Sequence, residues 1–296
     1  MEIIRPGSAA DVNLRDMVRV DRADGESRFV GNLVSGPFGR IFGGQLIGQA
    51  VTAATATTAS YSGRQAHSIH AYFLRKGDAA IPVTYAVDSV RDGRSFSVRS
   101  VRAFQHDRLL LTATMSFHDA RDGLTHQADR AGDYPDPDSL PPDNRLLDVP
   151  TNSQNPGHRS AVELRRIPAK LYPPAAGSPP GQAVWIRSRT PAGAHCRALE
   201  SAVLALSTDF TVLESIVYGH GLTFATPGLS IASLDHAVWW HAPGNMDDWL
   251  LYIQSSPWAG GERGLVTGKI YDRGGRLLAS VAQEGLIRLS TMQATK

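Results

Sequence analysis

One cysteine, Cys196, is all that 296 residues contain, which excludes an intrachain disulfide and any cysteine-built metal site. No H-E-x-x-H pair is present, and no G-x-S-x-G turn, so zinc-protease and serine-hydrolase chemistry lack their usual framework. The run Gly264-Leu-Val-Thr-Gly268-Lys269 is too short for a phosphate loop, and Ile270 stands where a Ser or Thr is needed. His67, His70, His118, His236 and His241 show no paired spacing and read as structural, so neither a metal nor another cofactor is expected. Met1-Glu-Ile-Ile-Arg-Pro has no signal-length apolar core, no run is long enough to span a bilayer, and Gln293-Ala-Thr-Lys296 carries no peroxisomal or lipidation signal. The expectation is a cytoplasmic chain. Thirty Lys and Arg against 28 Asp and Glu leave a net charge of +2, too even for a dedicated nucleic-acid binder.

What is present is a duplication. The length suits two units of roughly 150 residues, and 42% hydrophobic content suffices to give each a core. His70-Ala-Tyr-Phe-Leu-Arg-Lys-Gly-Asp78 is echoed by His236-Ala-Val-Trp-Trp-His-Ala-Pro-Gly-Asn245. The closing strands echo each other as well, Arg108 to Met115 and Arg276 to Gln283. After the Gly-rich turn Pro37–Gln45, Leu46, Ile47, Ala50, Val51 and Ala54 recur at helical spacing on an alanine-rich segment, as for a helix enclosed by a curved sheet. Strands are expected over 68–74, 83–90, 95–104 and 109–117, with a hairpin turn at Arg91-Asp-Gly-Arg94. Twelve of the 18 prolines fall between Pro135 and Pro191, which reads as an irregular linker enclosing the second unit's first strands, 161–167 and 183–189. A second helix starts near Cys196, and strands follow at 230–240, 249–256, 264–272 and 277–288. One long helix with antiparallel strands, twice over, is an α+β pattern.

The two copies differ in polarity. Gln283 falls where the first copy has Met115, and an inward amide costs on the order of 1–3 kcal/mol unless it is hydrogen-bonded. Ser233 lies on the side of its strand that Ile231 shares, and Asp209 follows directly on an apolar helical face. Taken singly these are a paired core amide, a core serine and a helix cap. The first copy's helix, 43–58, has no acidic residue, so the acid belongs to the copy that has the amide.

Arg40-Ile-Phe-Gly-Gly-Gln45, His67-Ser-Ile-His-Ala-Tyr-Phe-Leu-Arg75, Arg91-Asp-Gly-Arg-Ser-Phe-Ser97, Ile231-Ala-Ser-Leu-Asp-His236 and Ala282-Gln-Glu-Gly285 together resemble the acyl-CoA thioesterase II family, over nearly the whole chain outside the linker. The resemblance implies a double hotdog, two antiparallel sheets each wrapped around a central helix. The N-terminal hotdog would occupy 1–120, the Pro-rich linker 121–160, and a C-terminal hotdog carrying the catalytic residues 161–296. It implies hydrolysis of fatty acyl-CoA by a water held between Asp209, Ser233 and Gln283, with Ser where the family usually has Thr. Gly43 and Gly44 are the implied oxyanion or substrate-binding positions, and Arg75 and Arg94 the candidates for the CoA phosphates. Acyl-CoA is then the partner, with a homo-oligomer expected by analogy. A hotdog hydratase needs a His five residues after an Asp, which is not found here. A non-catalytic acyl-CoA-binding double hotdog is the alternative from another class.

Overall fold

The computed structural model describes residues 13–33, 39–58, 63–130, 132–143, 161–169, 171, 178–190 and 196–290. Pro37 in the Gly-rich turn, Val12, which the sequence pattern assigns with Leu14, Met17 and Val18 to a short opening helix, residues 144–160 of the linker and the tail Gln293–Lys296 lie outside them. Among the described residues four α-helices precede or interrupt the strands: α1 (Leu14–Val18), α2 (Gly43–Ala56), α3 (Arg197–Thr208) and α4 (Glu214–Gly219). The first half contributes β1 (Val20–Arg22), β2 (Arg28–Gly31), β3 (Arg64–Phe73), β4 (Thr84–Asp92), β5 (Phe96–Gln105) and β6 (Arg108–Asp119). The second contributes β7 (Val162–Arg166), β8 (Gly181–Ser188), β9 (Leu229–Ser233), β10 (Asp235–Trp240), β11 (Leu250–Gly260), β12 (Arg263–Tyr271) and β13 (Leu277–Leu289).

Where two sheets are expected, hydrogen bonding runs through one antiparallel sheet of 13 strands, ordered β1-β2-β4-β5-β6-β3-β10-β13-β12-β11-β8-β7, with β9 beside β13. The halves join because β3 and β10 pair edge to edge, Ile69 opposite Val238 and His70 opposite Ala237. Such pairing satisfies two strand edges at once.

The echo between His70 and His236 is out of register. On β3, Ile69 and Ala71 are buried on either side of an exposed His70; along β10 the buried positions are His236 and Val238. Ile69 pairs with Met115 as His236 meets Gln283, so Ile69 is the counterpart of His236. A slip of one residue exchanges the faces of a strand.

The segment expected as one strand over 230–240 breaks at Leu234. Its N–H donates to Glu284 O, and its carbonyl accepts from Phe73 N–H on β3. The break changes the alternation, so Ser233 on one side and His236 on the other both serve the interior.

Between the halves, α2 and α3 pack antiparallel at close range. A Cβ on Gly44 would lie 2.4 Å from Leu206 O, and one on Gly48 would lie 3.1 Å from Ala202 O. Two glycines four residues apart make a flat seam, and the absence of side chains there lets the backbones approach. This seam sets the end of α3 against the start of α2.

The linker is less free than its prolines imply. Leu140 and Tyr134 join Trp185, Trp249, Leu251 and Tyr271 in a second apolar cluster. Trp185 Nε1 donates to Pro135 O at 2.9 Å, and Gln127 bonds both Gly275 O and Leu277 N–H. The linker thus covers aromatic residues that would otherwise meet solvent.

Candidate active site

The helical run of α3 ends at Thr208, and Asp209 is its C-cap residue. A carboxylate at that end is opposed by the helix's own dipole. The seam compensates, since the N-terminus of α2 has no side-chain cap of its own and supplies the missing donor. Gly44 N–H donates to Asp209 Oδ2 at 2.7 Å across 165 residues of sequence. Gly43 lies against the same oxygen, where a Cβ would come within 2.7 Å of it.

Gln283 on β13 is fully buried and joins the other parts. Its Nε2 donates to Asp209 Oδ1 at 3.1 Å and to Ser233 Oγ at 2.9 Å. Asp209, Ser233 and Gln283 therefore converge, from the end of α3, the end of β9 and the middle of β13. Asp209 and Ser233 are half-buried, while Gln283 is fully buried. The surrounding protein strips solvent from the carboxylate and pushes the Asp209 pKa up to about 7, although the bonds from Gln283 and Gly44 pull it down. At neutral pH such a group holds or releases a proton with almost equal ease.

Two further residues belong to the cluster. His236 is 1% exposed; its Nδ1 bonds Gln283 Oε1, and its Nε2 lies 2.7 Å from Thr208 Oγ1. Burial pulls the His236 pKa down to about 4, so the ring is neutral under ordinary conditions. From sequence this histidine reads as structural because no paired spacing marks it, and in an unbroken strand it would face away from Ser233. Phe42 and Phe210 stack at 4.9 Å between ring centroids, and Phe73 packs on Gly43, lining the approach with aromatic surface.

Gly43 and Gly44 are at the site, with the Gly44 N–H directed to Asp209. Arg75 follows Phe73 by two residues, is exposed and donates from Nη1 to Leu109 O. Arg94 lies in the β4–β5 turn, whose Gly93 carbonyl bonds Arg64 at the opposite end of β3 from Phe73. Ten residues at about 3.3 Å each put that end roughly 30 Å away. Arg75 thus lies at the end of β3 that carries Phe73, and Arg94 at the other. Among the described residues no cluster of three or more His, Cys, Asp or Glu suits a metal, and no helix is long and apolar enough to cross a membrane.

Two family models match the chain, acyl-CoA thioesterase over residues 163–286 and acyl-CoA thioesterase N-terminal domain over residues 34–118. Human acyl-coenzyme A thioesterase 8 is 34% identical over 96% of this chain and 91% of its own length. The crystal structure of acyl-CoA thioesterase II TesB2 from Mycobacterium marinum is also 34% identical and superposes with a TM-score of 0.79, covering 95% of this chain and 99% of that one. A hot dog fold protein of unknown function from Alicyclobacillus acidocaldarius shares the fold at 19% identity, with a TM-score of 0.74 over 94% and 98% of the two chains. Matches to both halves, in order and over almost the whole length, leave one conclusion: this chain belongs to the acyl-CoA thioesterase II family.

Proposed function

We propose that the chain hydrolyses fatty acyl-CoA to free fatty acid and CoA, with Asp209, Ser233 and Gln283 acting on one water molecule. The family supports the reaction, and the convergence of three polar groups on Gln283 supports the site. Asp209 takes a proton from water as its oxygen attacks the thioester carbon. Ser233 orients that water, and Gln283 holds the base and the hydroxyl in fixed relation. The C–S bond then breaks, and the proton on Asp209 passes to the departing CoA sulfur. A thioester is electrophilic enough to need no acyl-enzyme. The positive end of α2 faces the same space, and its hold on Asp209 weakens once the acid is protonated, which favours an oxyanion beside Gly43 and Gly44. Arg75 is the better placed of the two arginines for a CoA phosphate.

In this reading each half of the sheet is a hotdog, the first wrapped around α2 and the second around α3, with the base in the second and its helix donor in the first. A single cysteine suits the cytoplasm. The outermost strands β1 and β7 offer edges to a second copy.

Incubation with medium- and long-chain acyl-CoA in the presence of a thiol reagent tests the proposal. Thiol release should be abolished in Asp209→Asn while folding and ligand binding persist. Saturable binding without thiol release would instead make the chain an acyl-CoA carrier.

A further inference from the structure

The amide of Gln283 has a chemically distinct group at each end, and the reading above requires the NH2 end to face Asp209 and Ser233. Turned over, the amide would set its oxygen against the Asp209 carboxylate, acceptor against acceptor. Something must hold it. On its far side stands His236, whose ring Nδ1 meets Gln283 Oε1. An amide oxygen only accepts, so Nδ1 carries the hydrogen. A neutral ring then has a lone pair at Nε2, which accepts from the Thr208 hydroxyl at 2.7 Å. Thr208 Oγ1 also donates to Ala205 O at 2.6 Å, so its one hydrogen is shared between that carbonyl and the ring nitrogen. The donors run in one sense, from His236 to Gln283 to Asp209, and each bond in such a row polarises the next.

We propose that His236, as the Nδ1–H tautomer, is a positioning residue for hydrolysis: it locks the Gln283 amide so that both N–H groups face the base and the serine. The inference rests on the catalytic reading of Asp209, Ser233 and Gln283, and adds a residue to it. A simple core histidine needs no particular tautomer, and its loss affects stability alone. This one lies in a chain of bonds that terminates on the base. The other groups facing the ring are apolar or neutral: β3 presents Ala71 opposite it and Ile69 beside that, and α3 presents Thr208. The titratable groups beyond are Asp209 and, on β11, Tyr252, whose pKa burial and the Asp209 charge push well up.

Three full-length variants separate the possibilities. His236→Asn keeps an N–H near the Nδ1 position; His236→Gln shifts its amide toward the Nε2 position; His236→Phe has no donor. Thiol release is measured for each across the pH range, per folded molecule by thermal melting. The expectation is a kcat within about threefold of the parent for Asn, and lower by about 10- to 100-fold for Gln and Phe with KM little changed. The acid limb of the Gln and Phe profiles should move to higher pH, because Asp209 loses an oriented donor. A Phe variant that folds and keeps both the parental kcat and acid limb overturns the proposal. If neither Gln nor Phe folds, nitrogen NMR on the unaltered protein decides, since a ring protonated at Nε2 and bare at Nδ1 overturns it equally. Asp209→Asn is run alongside. Full activity there removes the catalytic reading and this inference together, whereas an inactive Asp209→Asn beside parental Gln and Phe variants removes this inference alone.

Discussion

The ends of α2 and α3 occupy matching places in the two halves, and the pockets beyond them are filled in opposite ways. Beyond α3 the cap residue is Asp209, and the facing strands bring His236, Gln283 and Val266 together, Gln283 pairing with Val266. Beyond α2 the cap residue is Thr57, and the same registers bring Ile69, Met115 and Arg99. Where the second half has a valine, the first has a guanidinium that is 1% exposed, and that group closes the pocket. Arg99 Nε donates to Thr57 Oγ1, Nη1 to the carbonyls of Arg91 and Val98, and Nη2 pairs with Asp92 at 2.9 Å. Every donor direction is taken up by protein. The lesson is that duplication supplied two equivalent positions, of which one holds a polar cluster joined through Gln283 and the other a guanidinium turned toward the fold.

Substitutions at matched positions should reveal that division. The largest effect is expected from Asp209→Asn, with kcat lowered by about 10²–10⁴-fold, while Thr57→Ala leaves it unchanged. Equal losses in a thiol-release assay would break the contrast. Next comes Gly44→Ala, whose methyl must displace the carbonyl of Leu206. It should separate Asp209 from its helix donor and lower both kcat and the melting temperature. Gln283→Met copies the first half into the second and should inactivate without unfolding. The reverse change, Met115→Gln, buries an unpaired amide at a cost of about 1–3 kcal/mol by urea titration and yields no new activity. Arg99→Met should destabilise by a similar amount, about 1–3 kcal/mol, with kcat per folded molecule unaltered.

The smallest effects are in pH. With Asp209 as base, kcat/KM should climb through about pH 7 and level off above it. Stability is subtler. Folded Asp209 keeps a proton between its unfolded value of 3.8 and about 7, so its contribution falls as pH rises through that window. Folded His236 refuses a proton between 6.5 and about 4, so its contribution falls as pH drops through that window. The two oppose each other, and the parent should vary little over that range. In Asp209→Asn only the histidine remains, and denaturant midpoints should fall on acidification.

Much of this was legible in the residues themselves. The alanine-rich periodicity over 46–54 placed α2, and alternation placed β4, β5, β6, β11, β12 and β13 to within a few residues. Gln283 stood out because amides are rare beside Ala279 and Val281. His236 did not, since the break at Leu234 reverses the alternation and depends on bonds to Glu284 and Phe73, both distant in sequence. The Gly44 contact was equally hidden, because a helix terminus advertises an unused donor without saying which residue will take it. Comparison of the two copies brought Asp209 forward and the resemblance to a family gave it a role, whereas its local sequence reads as an ordinary cap.

The antiparallel seam of Gly44 and Gly48 has a consequence for how the molecule behaves when diluted. Asp209 and its helix donor come from the two halves of a duplicated chain, so a version made of two separate copies would lose that contact whenever the copies parted. Covalent attachment turns that encounter into an intramolecular one, at an effective concentration that linker length sets at about the millimolar scale. Activity per molecule should then persist into the nanomolar regime, provided no further subunit contributes to the cleft.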